Sequence, residues 1–270
     1  KTSQPMIKRI FIGAGVIGFL FFVVFRDFTP PIHRDILKAQ GLLGIQRYEE
    51  AIAQYKKILK SNPPNPIKVK INYQLGELYS TNLGKNKLAI SYFERIINIY
   101  KDPVWLVKAS ERVAEINFNF LKNFEDSRKN YQMLANFTPR LEKIDYYQHR
   151  LARSLFNLGL LNLAAKEFQR IQGNPEHEYY TRSFYELGMV HFRKKDWNKA
   201  IAFWKEYLKR ETRKDAVVQT KFMMANAFET SEQLKRAYNL YYSILGEYPN
   251  TEVLRNRLNS IYHRRIARKR

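Results

Sequence analysis

One short stretch of the sequence has the residue types and spacing of a nucleotide-binding loop. The stretch Gly13-Ala14-Gly15-Val16-Ile17-Gly18 follows the Gly-x-Gly-x-x-Gly pattern, in which backbone amides hold the pyrophosphate of a dinucleotide. That chemistry also needs a helix, a second strand and then an acidic residue about 20 positions further on. Here Asp27 comes too early, and Pro30-Pro31 interrupts the chain soon after it. The surroundings therefore argue against nucleotide binding, and the sequence predicts no cofactor.

The histidines are the next candidates for chemistry, because the sequence contains no cysteine. That absence excludes disulfides, thiol nucleophiles and Cys-containing metal sites. Glu176-His177-Glu178 lies next to Pro175 in a predicted turn, where we expect surface residues and no metal site. His191 occupies the position of a packing aromatic residue, so we interpret it as a core residue. No P-loop, Gly-x-Ser-x-Gly, His-Glu-x-x-His or EF-hand spacing occurs. The sequence therefore predicts that the chain is not an enzyme.

An uncharged segment from Ile10 to Phe25 is typical of a membrane-spanning helix. As a helix it is about 24 Å long, and flanking basic residues can extend its reach toward the ~30 Å hydrocarbon core of a bilayer. We predict a short basic N-terminus over residues 1–9, a transmembrane helix (an uncleaved signal anchor) over 10–26 and a Pro-containing linker over 27–33. The alternatives are a cleaved signal peptide, although no Ala-x-Ala-like site follows, and a buried helix of the folded domain.

The charges around this segment are nearly balanced, so its orientation rests on a weak preference. Lys8 and Arg9 precede it and Arg26 follows it. A short basic N-terminus usually stays in the cytoplasm, which favours a single-pass protein of a bacterial inner membrane with its C-terminal domain outside the cytoplasm. A domain that faces the cytoplasm is the alternative. Ala14 and Gly18, four positions apart, would let two such helices approach closely, so a homo-oligomer is a further option.

Beyond residue 34 the sequence repeats itself every 36 to 38 residues. Each repeat has a small residue at Ala51, Ala89, Ser127, Ala164, Ala200 or Ala237. Four positions later stands a large aromatic residue: Tyr55, Phe93, Tyr131, Phe168, Trp204 and Tyr241. An apolar residue follows three positions after that, and this i, i+4, i+7 spacing describes one face of a helix. Another helix with its own small residue precedes each of these, as in Leu187-Gly188-x-x-His191. The sequence therefore predicts antiparallel helix pairs.

This pattern resembles the tetratricopeptide repeat (TPR), with its Leu-Gly-x-x-Tyr, Ala-x-x-x-Phe and terminal Pro. Leu75-Gly76-x-x-Tyr79 and the following Ala89-x-x-x-Phe93 carry the resemblance clearly. The region around 105–139 departs most, with Ser127 in place of Ala. The resemblance implies an all-α fold: a TPR-like α-solenoid of about six helix pairs over residues 34–250, preceded by the transmembrane helix and closed by a basic capping helix over 251–270.

The resemblance also implies a binding surface on the concave side of the stack, formed by the first helices of successive pairs. Removing the core positions from those helices leaves nine candidate groove residues: Tyr146, His149, Arg153, Arg182, Tyr185, Met189, Arg193, Phe222 and Asn226. Arginine forks beside aromatic and Met surface fit an extended or helical peptide with acidic and apolar side chains. The alternative is a groove wall that is merely solvated.

The last helix offers a second candidate surface. Its basic patch consists of Arg264, Arg265, Arg268, Lys269 and Arg270. These residues are either the solvated side of a cap or a surface for phosphate-rich partners.

The whole chain carries a formal net charge of +22, which attracts anionic partners. Hydrophobic residues make up 45% of it, enough for a folded core, so disorder is disfavoured. We predict a non-enzymatic, membrane-anchored scaffold that binds acidic or amphipathic segments of other proteins and organises a cell-envelope complex for secretion, motility or the cell wall. The alternatives are a membrane tether for a soluble enzyme and a basic helical-repeat protein that binds nucleic acid. Nucleic acid is disfavoured, because the aromatic residues fall at core positions.

Overall fold

The computed structural model describes residues 30–99 and 102–267. Within these two ranges every regular element is a helix, and thirteen of them are α-helices. In chain order they are α1 Pro31–Gly44, α2 Tyr48–Lys60, α3 Asn65–Glu77, α4 Asn86–Ile99, α5 Pro103–Ile116, α6 Phe124–Ala135, α7 Ile144–Asn157, α8 Leu161–Gln172, α9 Tyr180–Arg193, α10 Trp197–Leu208, α11 Lys214–Thr230, α12 Leu234–Tyr242 and α13 Thr251–Ala267. Along the chain, first helices (α1, α3, α5, α7, α9, α11) alternate with second helices, and α13 follows them.

The prediction of a transmembrane helix is corrected by these elements. Within the two described ranges, no helix is long and apolar enough to cross a bilayer. The longest ones there, α11 and α13, have 17 residues each and carry several charged side chains. The predicted membrane segment over 10–26 and the basic N-terminus over 1–9 lie outside the described residues. The described residues therefore form an all-α helical repeat that contains no membrane-spanning helix.

The chain divides into two compact units, residues 1–84 and 85–270. In the first unit, α1 packs against α2, and α2 packs against α3. The first helix begins at Pro31, within the predicted linker, because the fixed φ and missing N–H of proline suit a first helical turn. The residues that the repeat pattern selects, such as Ala51 and Tyr55, are buried.

In the second unit, each helix from α4 to α13 packs on the next helix of the chain. Contacts between sequence neighbours are what a stack of helix pairs requires. The small and aromatic residues of the repeat form its core: Ala164, Phe168, Ala200 and Trp204 are all completely buried. The helical face predicted from the i, i+4, i+7 spacing is therefore confirmed as the core face.

Each connection from a first to a second helix contains one residue in the left-handed region of the backbone, with φ between 54° and 77°. These residues are Gln46, Gly84, Lys122, Gly159, Lys195 and Glu232. After Lys195, the N–H of Asp196 donates to the carbonyl of His191 at 2.9 Å, which closes the end of α9 in a Schellman arrangement. The left-handed residues have the same period as the small residues, so every pair turns at the same point of its repeat.

Two first helices end in a π-helical turn, Leu78–Asn82 after α3 and Asn117–Leu121 after α5. Seven positions separate Ala152 from the left-handed Gly159, whereas eight separate Ala114 from the left-handed Lys122. A π turn takes up one extra residue inside a helix. The region around 105–139 therefore departs from the repeat pattern by a one-residue insertion and keeps its helix pair. This insertion determines where Phe118 lies.

The pair α9–α10 combines the smallest residue type with the largest. A Cβ atom at Gly188 would lie 2.2 Å from Nε1 of Trp204, so only glycine leaves room for the indole. The indole N–H donates to the carbonyl of Tyr185 at 3.1 Å. Gly188 and Trp204 therefore fix the distance between α9 and α10.

Candidate binding surface on the first helices

The helix α7 has a buried stripe and a half-buried stripe. Tyr147, Leu151 and Leu155 pack into the core of the second unit. Tyr146, Arg150 and Arg153 stand at i, i+4 and i+7 on another side of the helix and are each half-buried. This spacing places their side chains next to one another along the helix. Two of these three residues, Tyr146 and Arg153, were among the predicted groove residues, and Arg150 was not.

His149 lies in the interior and does not line the surface. Only 7% of its area is exposed, and its ring stacks on Tyr179 with centroids 4.1 Å apart. Its Nε2 lies 3.8 Å from Oε1 of Glu186 and makes no hydrogen bond. Burial lowers the pKa of His149, so the ring is neutral near pH 7. His149, three positions after Tyr146, thus points inward, whereas Arg150, four positions after Tyr146, lies on the surface.

On α9 the surface is organised around a buried carboxylate, Glu186. Nε of Arg182 donates to Oε1 of Glu186 at 3.1 Å, and the Arg182 guanidinium lies 4.5 Å from the ring centre of Tyr185. Burial alone would raise the pKa of Glu186, but His149, Arg182 and Arg153 together hold it below its ordinary value. Glu186 is therefore a charged internal partner for Arg182. The i, i+4 spacing of these two residues was the signal for this pair in the sequence.

The other predicted residues of α9 serve packing. Met189 packs against the cluster that contains Trp204. Nη1 of Arg193 donates to the carbonyl of Phe156 at 2.7 Å, and its guanidinium lies 4.7 Å from the Phe156 ring centre. Arg193 therefore links the end of α9 to the end of α7.

The predicted residues of α11 belong to the end of the second unit. Phe222 stacks on Tyr248, with centroids 4.4 Å apart, and meets Tyr241 at 5.4 Å. Asn226 accepts a hydrogen bond from the Thr230 hydroxyl at its main-chain carbonyl, at 2.9 Å. These contacts place Phe222 in the core that joins α11, α12 and α13. Of the nine predicted residues, the structure thus brings His149, Arg153, Arg182 and Tyr185 together around Glu186.

Arg150 and Arg153 share one aromatic ring, that of Phe118, the second residue of the π turn after α5. The Arg150 guanidinium carbon lies 4.5 Å from the Phe118 ring centre and that of Arg153 lies 5.5 Å from it. Arg150 also lies 5.1 Å from the ring centre of Tyr146. We call Arg150 and Arg153 the α7 arginine pair. Sequence reasoning missed this arrangement, because Phe118 belongs to the π turn Asn117–Leu121, in the region that departs most from the repeat pattern.

The acidic turn beside Pro175 differs from its prediction at one residue. His177 is buried, whereas Glu176 and Glu178 are exposed, as expected. Its Nδ1 accepts a hydrogen bond from the N–H of Tyr179 at 3.0 Å, and its Nε2 lies 3.2 Å from Oε1 of Gln148. His177 therefore fixes the turn between α8 and α9. Within the described ranges, no group of three potential metal ligands occurs.

His191 is buried, as predicted, and its ring stacks on that of Phe203 with centroids 5.3 Å apart. Its Nδ1 lies 3.5 Å from Oδ2 of Asp196. The position that the repeat assigns to a packing aromatic residue is thus filled by a histidine with an aromatic contact.

The two residues of the basic patch that the structure describes, Arg264 and Arg265, both contact the preceding pair. Arg264 donates through Nη1 to Glu229 at 3.3 Å and through Nη2 to Glu232 at 2.6 Å. Arg257 donates to Glu229 at 3.3 Å, and Arg265 lies 5.6 Å from the ring centre of Tyr238. These contacts support the capping interpretation. The last three residues of the predicted patch, Arg268, Lys269 and Arg270, lie outside the described residues.

Comparison with known proteins identifies the repeat. Models of the tetratricopeptide repeat match residues 69–103 and 182–211. The chain therefore contains tetratricopeptide repeats, which agrees with the helix pairs of its fold. As a class, such proteins are non-catalytic scaffolds that bind other proteins. No curated protein matches the sequence.

Solved structures agree on the fold. PilW, a widely conserved type IV pilus biogenesis factor, is 18% identical, with a TM-score of 0.52 over 86% of this chain and 98% of PilW. A tetratricopeptide-repeat protein from Parabacteroides merdae is 13% identical, with a TM-score of 0.55 over 86% of this chain and 98% of that one. The quorum sensor NprR from B. thuringiensis is 16% identical, with a TM-score of 0.54 over 96% of this chain and 75% of NprR. At these identities the likeness is one of fold.

Proposed function

We propose that this protein is a non-enzymatic scaffold that binds an acidic or amphipathic segment of another protein on the first helices α7 and α9. One observation carries the proposal: half-buried arginines and aromatic rings lie side by side on this surface, and within the described residues neither guanidinium of the α7 arginine pair makes a hydrogen bond or a salt bridge, although Glu186 lies near Arg153. Arginine and aromatic side chains are the residues that dominate binding energies at protein interfaces. The net charge of +22 favours an acidic partner and speeds its encounter.

Within that function we propose a place in the assembly of a cell-envelope complex. PilW, itself a pilus biogenesis factor, is a precedent for this fold in such a role. The fold supplies repeated helix pairs on which a partner segment can lie, and none of the contacts described above requires a catalytic step.

Site-specific photo-crosslinking in the source cells tests the proposed surface. We would place p-benzoylphenylalanine at Tyr185 in the full chain, since Tyr185 is half-buried beside Arg182. The matched control is Tyr242 on α12, an aromatic residue that is 61% exposed. We expect a discrete adduct from position 185 whose partner contributes an acidic or amphipathic peptide, and none of it from position 242. The same adducts from both positions, or none from position 185, would contradict the proposal.

A further inference from the structure

We propose that the α7 arginine pair is the anchor point of this surface and binds an acidic side chain of the partner segment. This inference rests on the proposed function and goes further, because it names two residues and the chemistry that they recognise. The ligand group is the carboxylate of a glutamate or aspartate side chain in that segment.

The pair is held rigidly before any ligand arrives. Arg150 and Arg153 are one helical turn apart on α7, and both guanidinium groups lie on the Phe118 ring. That ring is itself fixed, because it is buried and meets Phe124 edge-on at 5.5 Å and Tyr131 at 6.4 Å. A guanidinium that already rests on an aromatic face loses less freedom when it binds an anion.

The guanidinium groups of the pair also lack a direct internal partner. Within the described residues, neither of them makes a hydrogen bond or a salt bridge, and Glu186 acts on Arg153 only through the longer-range attraction of their charges. Neighbouring arginines on the first helices do: Arg112 pairs with Glu115 at 2.6 Å on α5 and Arg182 pairs with Glu186 on α9. Two half-buried guanidinium groups have lost part of their hydration and have gained no acceptor in return.

The shape of the groups selects the ligand. A guanidinium presents parallel N–H donors that match the oxygens of a carboxylate or a phosphate. The rings of Phe118 and Tyr146 flank the donors, so an apolar side chain next to the acidic one can contact them. A segment in which acidic and apolar residues alternate satisfies both parts of the site.

The test uses the full-length protein and three fluorescein-labelled synthetic peptides. They share one sequence of alternating leucine and variable positions, and the variable positions are glutamate, glutamine or phosphoserine. Fluorescence anisotropy gives the dissociation constants at fixed ionic strength. The probe variant is Arg150→Gln/Arg153→Gln. The control is Lys166→Gln/Arg170→Gln, which removes the same charge from exposed positions of α8.

We expect the probe variant to bind the glutamate peptide at least about 10-fold more weakly, since hydrogen bonds to charged groups contribute on the order of one decade or more in affinity. The control variant should stay within about 2-fold of wild type, as screened surface charges do. Equal losses in both variants, or wild-type binding by the probe variant, would overturn the proposal. The proposal would also be overturned if the wild-type protein bound the glutamine peptide as tightly as the glutamate peptide.

A conservative variant separates the effect of the planar guanidinium donors from the effect of their positive charge. Arg150→Lys/Arg153→Lys keeps both charges and loses the planar donors and their stacking. We expect it to bind the glutamate peptide several-fold more weakly than wild type, and wild-type affinity would overturn the role of the forks. The phosphoserine peptide tests the choice of carboxylate: weaker binding than that of the glutamate peptide supports it, and tighter binding would overturn it in favour of a phosphorylated side chain.

The proposed function and this inference fail in different ways. If position 185 still crosslinks the partner in cells while the probe variant binds the glutamate peptide normally, the surface is right and the anchor is wrong. If position 185 yields no adduct, the surface itself is wrong.

Discussion

The second unit contains two buried carboxylates, Glu186 and Glu229. They differ in which arginines they bind and in where those arginines lie. Glu229 accepts from the Tyr241 hydroxyl and from Arg257 and Arg264 of α13, and so attaches the last helix to the preceding pair. Glu186 pairs with Arg182 on its own helix. Arg257 and Arg264 of α13 are thus used by the fold, whereas the guanidinium groups of the α7 arginine pair make no direct ion pair. A basic cluster in a sequence therefore indicates a binding site only after its internal acidic partners have been found.

Truncation of a large core residue gives the largest expected loss of stability, with which the effects of substitutions at the two carboxylates can be compared. Trp204→Ala should lower the free energy of unfolding by about 3–5 kcal/mol, as other truncations of large core residues do. Urea denaturation of the full chain gives this value. Gly188→Ala should also destabilise, because its Cβ would lie 2.2 Å from the indole, and adding Trp204→Phe should recover part of the loss. A loss below about 1 kcal/mol for Trp204→Ala would mean that the indole is not a core residue.

Glu229→Gln should separate folding from binding. The change weakens charged hydrogen bonds to Arg257 and Arg264, and we expect a loss of about 1.5–3 kcal/mol in stability. Hydrogen exchange should show reduced protection in α13, while the glutamate peptide binds as before. Glu232→Gln is the control, since its exposed pair with Arg264 should contribute less than about 1 kcal/mol. Weaker binding of the glutamate peptide by Glu229→Gln would contradict the assignment of Glu229 to folding alone.

The neutral His149 beside Glu186 should make stability depend on pH. Burial lowers its pKa in the folded protein, although Glu186 opposes this and Arg153 and Arg182 reinforce it. The folded protein therefore resists protonation, so stability is fully present above the ordinary value of about 6.5 and falls as the pH drops below it. The slope is at most about 1.4 kcal/mol per pH unit for one histidine. Unfolding measured between pH 7.5 and 5.5 should show a smaller decrease for His149→Phe, and an unchanged decrease would contradict this account.

Glu186→Gln should strengthen peptide binding. Removing this negative charge near Arg153 leaves a more positive surface, and we expect roughly 2- to 5-fold tighter binding of the glutamate peptide, since one nearby charge contributes under about 1 kcal/mol. Glu211→Gln makes the same charge change next to Arg213 and Tyr207, outside this surface. Anisotropy titrations should show tighter binding for the first variant only, and weaker binding by Glu186→Gln would contradict the account.

The sequence predicted the core better than the surface. Residues such as Phe168, Trp204 and His191 repeat at helical spacing, and burial follows from that spacing in every pair. The α7 arginine pair escaped prediction because a π turn, which no local pattern announces, places Phe118 under it. The sequence left Arg264 as either a cap residue or part of a binding surface, because its acidic partners lie 32 and 35 positions earlier in the chain. Contacts between helices distant in sequence decide which charges remain free.

We infer that the α7 arginine pair binds a partner, whereas Arg257 and Arg264 of α13 stabilise the fold. The most direct measurement compares two double variants, Arg150→Gln/Arg153→Gln and Arg257→Gln/Arg264→Gln, in glutamate-peptide affinity and in urea midpoint. Both remove the same charge from the second unit. The account predicts that the first variant loses about 10-fold in affinity with an unchanged midpoint. It predicts that the second keeps its affinity with a lower midpoint. Equal losses of affinity in both variants, or a lower midpoint for the first alone, would contradict it.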